Sequence, residues 1–182
     1  MDLQSDLITT LALRPSNIVG VKLTCGSVAK ITRLAAVLPN SRFAIFGGQY
    51  DFLLGGLASG SSGCIAAFAN VFPRTISEIY RLYQHGLRDE ALVLHRKAAL
   101  AEQPIKAGVA ATRYAAAIHR AYYAEIDNAV SLLRPRRPYV GPSVVLKERV
   151  ESTMKEVVEV ERTLGNTTMN TRKFEPQMTA RL

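Results

Sequence analysis

The chain has 182 residues, of which 48% are hydrophobic and 21% charged, so it can bury one sizeable core or part of a larger one. No apolar stretch approaches the roughly 20 residues needed to span a bilayer, so we expect no membrane partner. The net charge of +8 invites a nucleic-acid hypothesis. Because the basic residues are diffuse and follow no RNA-recognition, zinc-finger or basic-heptad pattern, nucleic-acid binding is only a minor alternative.

The start of the chain and its cysteines favour a cytoplasmic protein. Residues 1–6 are acidic and lack the basic start and apolar core of a signal peptide. Cys25 and Cys64 lie in or beside predicted strands, and we expect small buried thiols in a reducing compartment. The three histidines fall on predicted helices without metal-ligand spacing. We therefore expect them at the surface or at an interface, with no metal site, and nothing in the sequence calls for a cofactor.

The first two-thirds of the chain alternate short apolar runs with longer helical patterns, which is typical of β/α units. The predicted strands are 18–22, 43–46 and 64–68. The predicted helices before and between them are 5–13, 28–38 with Ser27 as N-cap, and 52–57. Strands about 20 residues apart, each leading into glycine or small polar residues, predict consecutive β/α units of a barrel or a wound sheet.

The remainder of the chain is predicted to be helical. Pro73 begins a helix that stops at Gly86, and another helix follows it. An alanine-rich pattern predicts one long helix from about 105 to about 133, with a possible interruption near Gly108. Ser143 caps a final helix that ends at 164. The expected organisation is 1–100 for the β/α units, 101–164 for a C-terminal helical extension and 165–182 for a disordered tail.

Lys22 is the candidate for covalent chemistry. It closes the apolar run 18–21 and is followed by Leu-Thr-Cys-Gly-Ser, so an amine lies where a buried strand meets a loop. In α/β barrels the C-terminal ends of the strands form the rim of the active site. Partial desolvation there disfavours an ammonium group and frees a neutral amine that can attack a carbonyl. From its position alone, a lysine that merely reaches solvent from a strand end is the commoner explanation.

Three motifs follow one another in a characteristic order. They are Ile-Val-Gly-Val-Lys over 18–22, Phe43-x-x-x-Gly47-Gly48, and Gly60-x-x-Gly63-Cys-Ile65-x-x-x-x-Asn70-x-x-Pro73. This order resembles the C-terminal half of the dihydrodipicolinate synthase / N-acetylneuraminate lyase family of class I pyruvate-type aldolases. The Val-Lys-Leu-Thr-Cys-Gly stretch and the late Arg-Arg-Pro-Tyr turn look closest to the branch that cleaves 2-oxo-3-deoxy sugar acids and 4-hydroxy-2-oxoglutarate.

The resemblance implies an α/β fold that is part of a TIM (β/α)8 barrel, with the last three β/α units followed by C-terminal helices. It also implies a carbon–carbon lyase in which Lys22 forms a Schiff base with pyruvate or a pyruvyl substrate. Gly48 and Ile65 match positions that line the pyruvyl pocket of the family. The implied partners are a small-molecule 2-oxo acid substrate and further copies of the chain in a homo-oligomer.

The sequence also departs from the family pattern. Gln49 and Ala66 stand where many members have an acidic residue and a serine, which leaves the exact substrate open. A full barrel takes about 250 residues, and the segments that carry the family's carboxylate-binding threonines and proton-shuttling tyrosine are absent here. We therefore expect a truncated aldolase with reduced or no activity alone. The alternatives are a non-catalytic remnant that acts as an interaction module and, less favoured, a basic nucleic-acid binder.

Overall fold

Three parallel strands form the sheet of this chain, for which the computed structural model describes residues 2–14 and 17–170. The strands β1 (Gly20–Leu23), β2 (Ala44–Gly47) and β3 (Gly63–Cys64) pair in chain order. Parallel neighbours need a crossover connection, and α2 (Val28–Val37) and α3 (Leu53–Ala58) supply the two that are required. The first helix, α1 (Ser5–Leu13), packs on α2.

The rest of the described chain is helical. Its helices are α4 (Pro73–Gln84), α5 (Arg88–Glu102), α6 (Val109–Ala115), α7 (Ala121–Tyr123), α8 (Ala129–Leu132) and α9 (Val144–Asn170). Two 3₁₀ turns, Ala67–Asn70 and Gln103–Ala107, and one π-helical turn, Ala116–Arg120, connect them. Helices α4, α5 and α9 pack on one another, so the C-terminal extension forms a bundle behind the ends of β2 and β3.

Two apolar clusters form most of the core. One lies between the sheet and helices α1 and α2, where Ile31, Leu34 and Ile45 are fully buried. The other joins α3, α4, α5 and α9 and includes the 3₁₀ turn after β3, whose Phe68 is fully buried. Each strand alternates its side chains between two faces, so only one face of the sheet contributes to the first cluster.

The predicted α/β order is confirmed, and the sequence located most helix starts correctly. The backbone N–H of Lys30 donates to Ser27 Oγ at 3.1 Å, which caps α2. Pro73 is the first residue of α4, where its missing N–H costs nothing. Gly86 follows the end of α4 with φ of +78°, a conformation that a glycine adopts without strain.

Three predictions about local structure were wrong. The third strand is only two residues long, because Phe68 turns into the core through the 3₁₀ turn instead of extending the strand. The single helix predicted over 105–133 is broken, because Gly108 takes φ of +119° and Asn128 takes φ of +55°. The last helix continues through Asn170, past the predicted end at 164. The remainder of the predicted tail, 171–182, lies outside the described residues.

Candidate active site

The structure places Lys22, Gly48 and Ile65 on one face of the sheet, at the carboxyl ends of three neighbouring strands. Lys22 pairs in register with Phe46, and Phe46 pairs with Gly63. Because side chains alternate along a strand, positions two residues further on, Gly48 and Ile65, lie on the same face as Lys22. The ladder continues past the strand ends, since Gly48 N donates to the carbonyl of Leu23 at 2.6 Å and Ile65 N to that of Gly47 at 2.8 Å.

The face that carries Lys22 is open within the described residues. Lys22 is exposed, whereas its neighbour Leu23 points to the opposite face and is buried against α1 and α2. Ile65 is 50% exposed. The expectation of a buried strand at Lys22 therefore holds on one face of β1 only, because the described helices cover one side of the three strands and leave the other side without a layer.

Gly48 is required by the close approach of two strand ends. It is buried, and a Cβ at this position would lie 2.6 Å from the Cα of Thr24, a backbone atom that cannot swing aside. The φ angle of Gly48 is not positive, so glycine is required here by the lack of space for a side chain and not by the backbone conformation. Any larger residue would push the end of β2 away from the end of β1, which carries Lys22.

The loop after β2 is held by side chains that the sequence did not single out as a site. Both oxygens of the Glu102 carboxylate accept from the Tyr50 N–H, at 3.0 and 3.2 Å, and one of them also accepts from the Asp51 N–H at 2.9 Å. His95 lies 2.9 Å from the Tyr50 carbonyl through Nε2. Since a carbonyl oxygen can only accept, His95 donates from this nitrogen. The peptide groups on both sides of Tyr50 are thus fixed from α5.

A polar bridge joins this loop to the end of β1. The side-chain amide of Gln49 donates to the carbonyl of Thr24 at 3.2 Å, and Lys106 Nζ donates to Gln49 Oε1 at 2.9 Å. The same ammonium forms an ion pair with Asp51. Gln49, which stands where many members of the resembled family have an acidic residue, therefore links two rim loops through its amide.

Burial sets the electrostatics behind the rim. It raises the pKa of Glu102, against the opposing effect of the Tyr50 and Asp51 N–H groups. It also raises the pKa of the fully buried Tyr50. Burial lowers the pKa of His95, against the opposing effect of its hydrogen bond to Tyr50. It raises the pKa of the Cys64 thiol to about 11.

A sequence signal for Glu102 and His95 existed in the spacing of α5. Ala91, His95, Ala98 and Glu102 recur at helical spacing, and all four are buried. A carboxylate and an imidazole on the apolar stripe of a helix must find polar partners, because unpaired buried polar groups are costly. Surface or interface placement was expected for the histidines, and this is wrong for His95, which is buried inside the chain.

A second buried carboxylate, Glu161 of α9, has the same role at the start of α4. It accepts from the backbone N–H groups of Arg74 at 3.0 Å and Thr75 at 2.7 Å, and from the Thr75 hydroxyl at 2.8 Å. These are N–H groups of the first helical turn, which have no partner inside the helix and sit at its positive end. Glu161 therefore ties α9 to α4.

Two further expectations concern cysteines and metals. Cys25 is exposed and Cys64 is partly buried, and both thiols are free. The expectation of a buried thiol is wrong for Cys25, which lies in the loop beyond the buried part of β1.

In residues 2–14 and 17–170, no group of three or more His, Cys, Asp and Glu side chains could hold a metal ion. Over the same ranges, no helix is both long and apolar enough to cross a membrane.

Two relatives of this chain carry names that specify an activity. A protein of Coccidioides immitis (strain RS), provisionally named a mitochondrial 4-hydroxy-2-oxoglutarate aldolase, is 60% identical over 165 residues, which is 91% of this chain and 52% of that protein. A similarly named protein of Emericella nidulans is 38% identical over 165 residues, or 90% of this chain and 50% of that protein. The chain thus spans about half the length of the relatives it matches.

The expected cytoplasmic location is contradicted by these relatives, because both are named mitochondrial. The expectation rested on residues 1–6 of this chain. A targeting segment belongs to the N-terminus of a whole protein. Since this chain matches only half of each relative, its first residues carry no information about such a segment.

The fold comparison agrees with the sequence comparison. A crystal structure of a dihydrodipicolinate synthase family protein from Coccidioides immitis superimposes with a TM-score of 0.84 at 60% identity, covering 88% of this chain and 52% of that chain. The chain therefore supplies part of a TIM barrel, its three β/α units, together with the C-terminal helices. The family model of the dihydrodipicolinate synthetase family matches residues 1–159. This match and the shared fold show that the chain belongs to the dihydrodipicolinate synthetase family.

Proposed function

We propose that this chain carries the Schiff-base half of the active site of a carbon–carbon lyase, a class I aldolase that acts on pyruvate or a pyruvyl compound. The observation that carries the proposal is the placement of Lys22 on the same face of the sheet as Gly48 and Ile65, at the carboxyl ends of adjacent strands. The carboxyl ends of barrel strands are where catalytic residues of this fold lie.

Lys22 is the proposed nucleophile. Its neutral amine adds to the 2-oxo carbon, and loss of water from the adduct gives an iminium ion. The C4 hydroxyl then gives up its proton and becomes the aldehyde carbonyl as the C3–C4 bond breaks. The electron pair of that bond moves into the iminium, so an aldehyde leaves and an enamine of pyruvate remains. Protonation at C3 and hydrolysis of the imine then release pyruvate and restore the amine.

Gly48 and Ile65 are the proposed wall of the pyruvyl pocket. Gly48 lies against the end of β1, where the backbone of Thr24 leaves no room for a side chain. Ile65 offers a half-exposed apolar surface on the neighbouring strand, suited to the methyl or methylene side of a pyruvyl group. The names of the two relatives favour 4-hydroxy-2-oxoglutarate as the substrate.

Activity of this piece alone is proposed to be low. The open face leaves Lys22 in water, and no second layer among residues 2–14 and 17–170 positions an aldehyde or a proton donor above it. Positioning and general acid–base assistance are each worth orders of magnitude in rate, about 10²–10⁴-fold for proton transfer. We propose that the remaining strands of a barrel, or further copies of the chain, cover this face.

Borohydride trapping tests the proposal. The 182-residue chain is incubated with radiolabelled pyruvate and sodium borohydride, which reduces an imine to a stable secondary amine. We expect one label, on the peptide that contains Lys22, and none in the Lys22→Ala variant. The matched control is Lys97→Ala, which removes an exposed lysine of α5 away from the strand ends and should label as the parent chain does.

The alternative is a non-catalytic interaction module, favoured by the open face, on which Ile65 is half exposed. A folded parent chain that takes up no label, or equal labelling of the parent and Lys22→Ala, would reject the aldolase proposal and leave this alternative.

A further inference from the structure

The short segment after β2, residues 48–51, is held by hydrogen bonds at both of its ends. At one end Gly48 N donates to the carbonyl of Leu23 at 2.6 Å. At the other end the peptide groups around Tyr50 are bound by Glu102 and His95. The segment therefore cannot shift without breaking hydrogen bonds to buried groups, and each such loss leaves an unsatisfied donor or acceptor.

Supporting a loop with a buried carboxylate has a large cost in desolvation free energy. Glu102 is only 3% exposed, and desolvation opposes its charge. Apolar side chains of similar volume often stabilise a protein as well as a buried charged group does. What a carboxylate adds is direction, because its two oxygens hold the N–H groups of Tyr50 and Asp51 in one fixed geometry.

We propose that Glu102 is a positioning residue of the pyruvyl pocket, and that His95 assists it. By holding the backbone of Tyr50 and Asp51, Glu102 keeps Gly48 against the end of β1, beside the face that carries Lys22. The aromatic ring of Tyr50 acts with it as a buried anchor, packed on Phe68 at 5.7 Å between ring centroids. This inference rests on the proposed function, since it names a residue that shapes the same site.

Glu161 provides a matched control within the chain. It is a fully buried carboxylate that also holds two consecutive backbone N–H groups, those of Arg74 and Thr75. The segment that Glu161 holds lies in the first turn of α4. It starts at Arg74, nine residues beyond Ile65, and lies outside the proposed pocket. Substitution of either glutamate by glutamine removes a buried charge and leaves one N–H facing an amide N–H₂. Both variants should lose stability, whereas only one should alter pyruvate binding.

The experiment measures the pyruvate concentration that gives half-maximal borohydride labelling of the 182-residue chain. For Glu102→Gln we expect this concentration to rise about tenfold, the effect of one lost hydrogen bond to a charged group, with maximal labelling unchanged. For Glu161→Gln we expect a comparable fall in melting temperature with the half-maximal concentration of the parent. For His95→Ala, which loses one bond to the same loop, we expect a smaller rise, and this variant carries the test if Glu102→Gln does not fold.

Two outcomes would overturn the inference. One is a half-maximal concentration in both Glu102→Gln and His95→Ala that equals that of the parent. The other is an equal rise in Glu161→Gln, which would make the effect one of general stability. An unlabelled parent chain would instead reject the proposed function itself and the positioning role with it, so the two failures are distinguishable.

Discussion

The two faces of the three-stranded sheet differ in what they contact and in what they can do. On one face Leu23 and Ile45 are buried under α1 and α2, and the chain completes its own core there. On the other face Lys22 is exposed and Ile65 is half exposed. Lys22 and Leu23 are adjacent residues of β1, so one strand contributes to both faces.

This difference separates stability from chemistry. The covered face supplies apolar burial, worth about 25 cal/mol for each Å² removed from water. The open face carries the residues proposed to meet the substrate, and these contribute little to folding because little of their surface is buried. The C-terminal helices join the two roles, since the carboxylates of Glu102 and Glu161 reach from the bundle to the segments after β2 and β3.

The largest effect is expected from truncating an isoleucine on the covered face. Ile45→Ala removes a fully buried side chain packed with Ile31 and Leu34, and should lower the free energy of unfolding by about 2–5 kcal/mol. Ile65→Ala is the matched substitution on the open face and should cost about 1 kcal/mol or less, because half of this side chain is already in water. Urea unfolding measures both, and similar losses would contradict the contrast between the faces.

An effect of intermediate size is expected on the alkylation rates of the two thiols. Burial raises the pKa of Cys64, on the covered side, to about 11, so at pH 8 it carries about a hundredfold less thiolate than an ordinary thiol. Cys25 is exposed. In native protein, iodoacetamide should alkylate Cys25 first. The alkylation rate of Cys64 should rise about tenfold for each unit by which the pH is raised, as long as the pH stays below its pKa. Mass spectrometry follows both peptides, with the urea-unfolded chain as the control in which the two rates converge. Equal native rates would contradict the burial of Cys64.

The smallest effect on stability is expected at the proposed nucleophile. Lys22→Ala should change the free energy of unfolding by no more than about 0.5 kcal/mol, because the side chain is exposed. Lys30→Ala is the contrasting substitution. Lys30 is buried in α2, and its ammonium donates to both carboxylate oxygens of Asp2 at 2.8 Å and to the carbonyl of Leu3 at 2.7 Å. Thermal unfolding should show a clearly larger loss for Lys30→Ala. A destabilising Lys22→Ala would mean that the open face is covered in solution.

Local signals predicted most of the elements and some of the site. Ser27, Pro73 and Gly86 mark helix ends by chemistry that acts within one turn, and each was located correctly. In the alanine-rich segment the interruption near Gly108 was foreseen, whereas high helix propensity did not reveal the break at residues 124–128. Glu102 was missed as a site residue, because its partners lie about fifty residues away in sequence.

The sequence by itself determined the family, the α/β order and the positions of Lys22 and Gly48 at strand ends, since strand patterns and strand-end glycines are properties of short segments. Only the tertiary structure decided the remaining features: which face of the sheet is covered, how closely Gly48 approaches Thr24, and which carboxylate holds the loop after β2. The physical reason is that burial and hydrogen-bond partners depend on the packing of segments far apart in the chain.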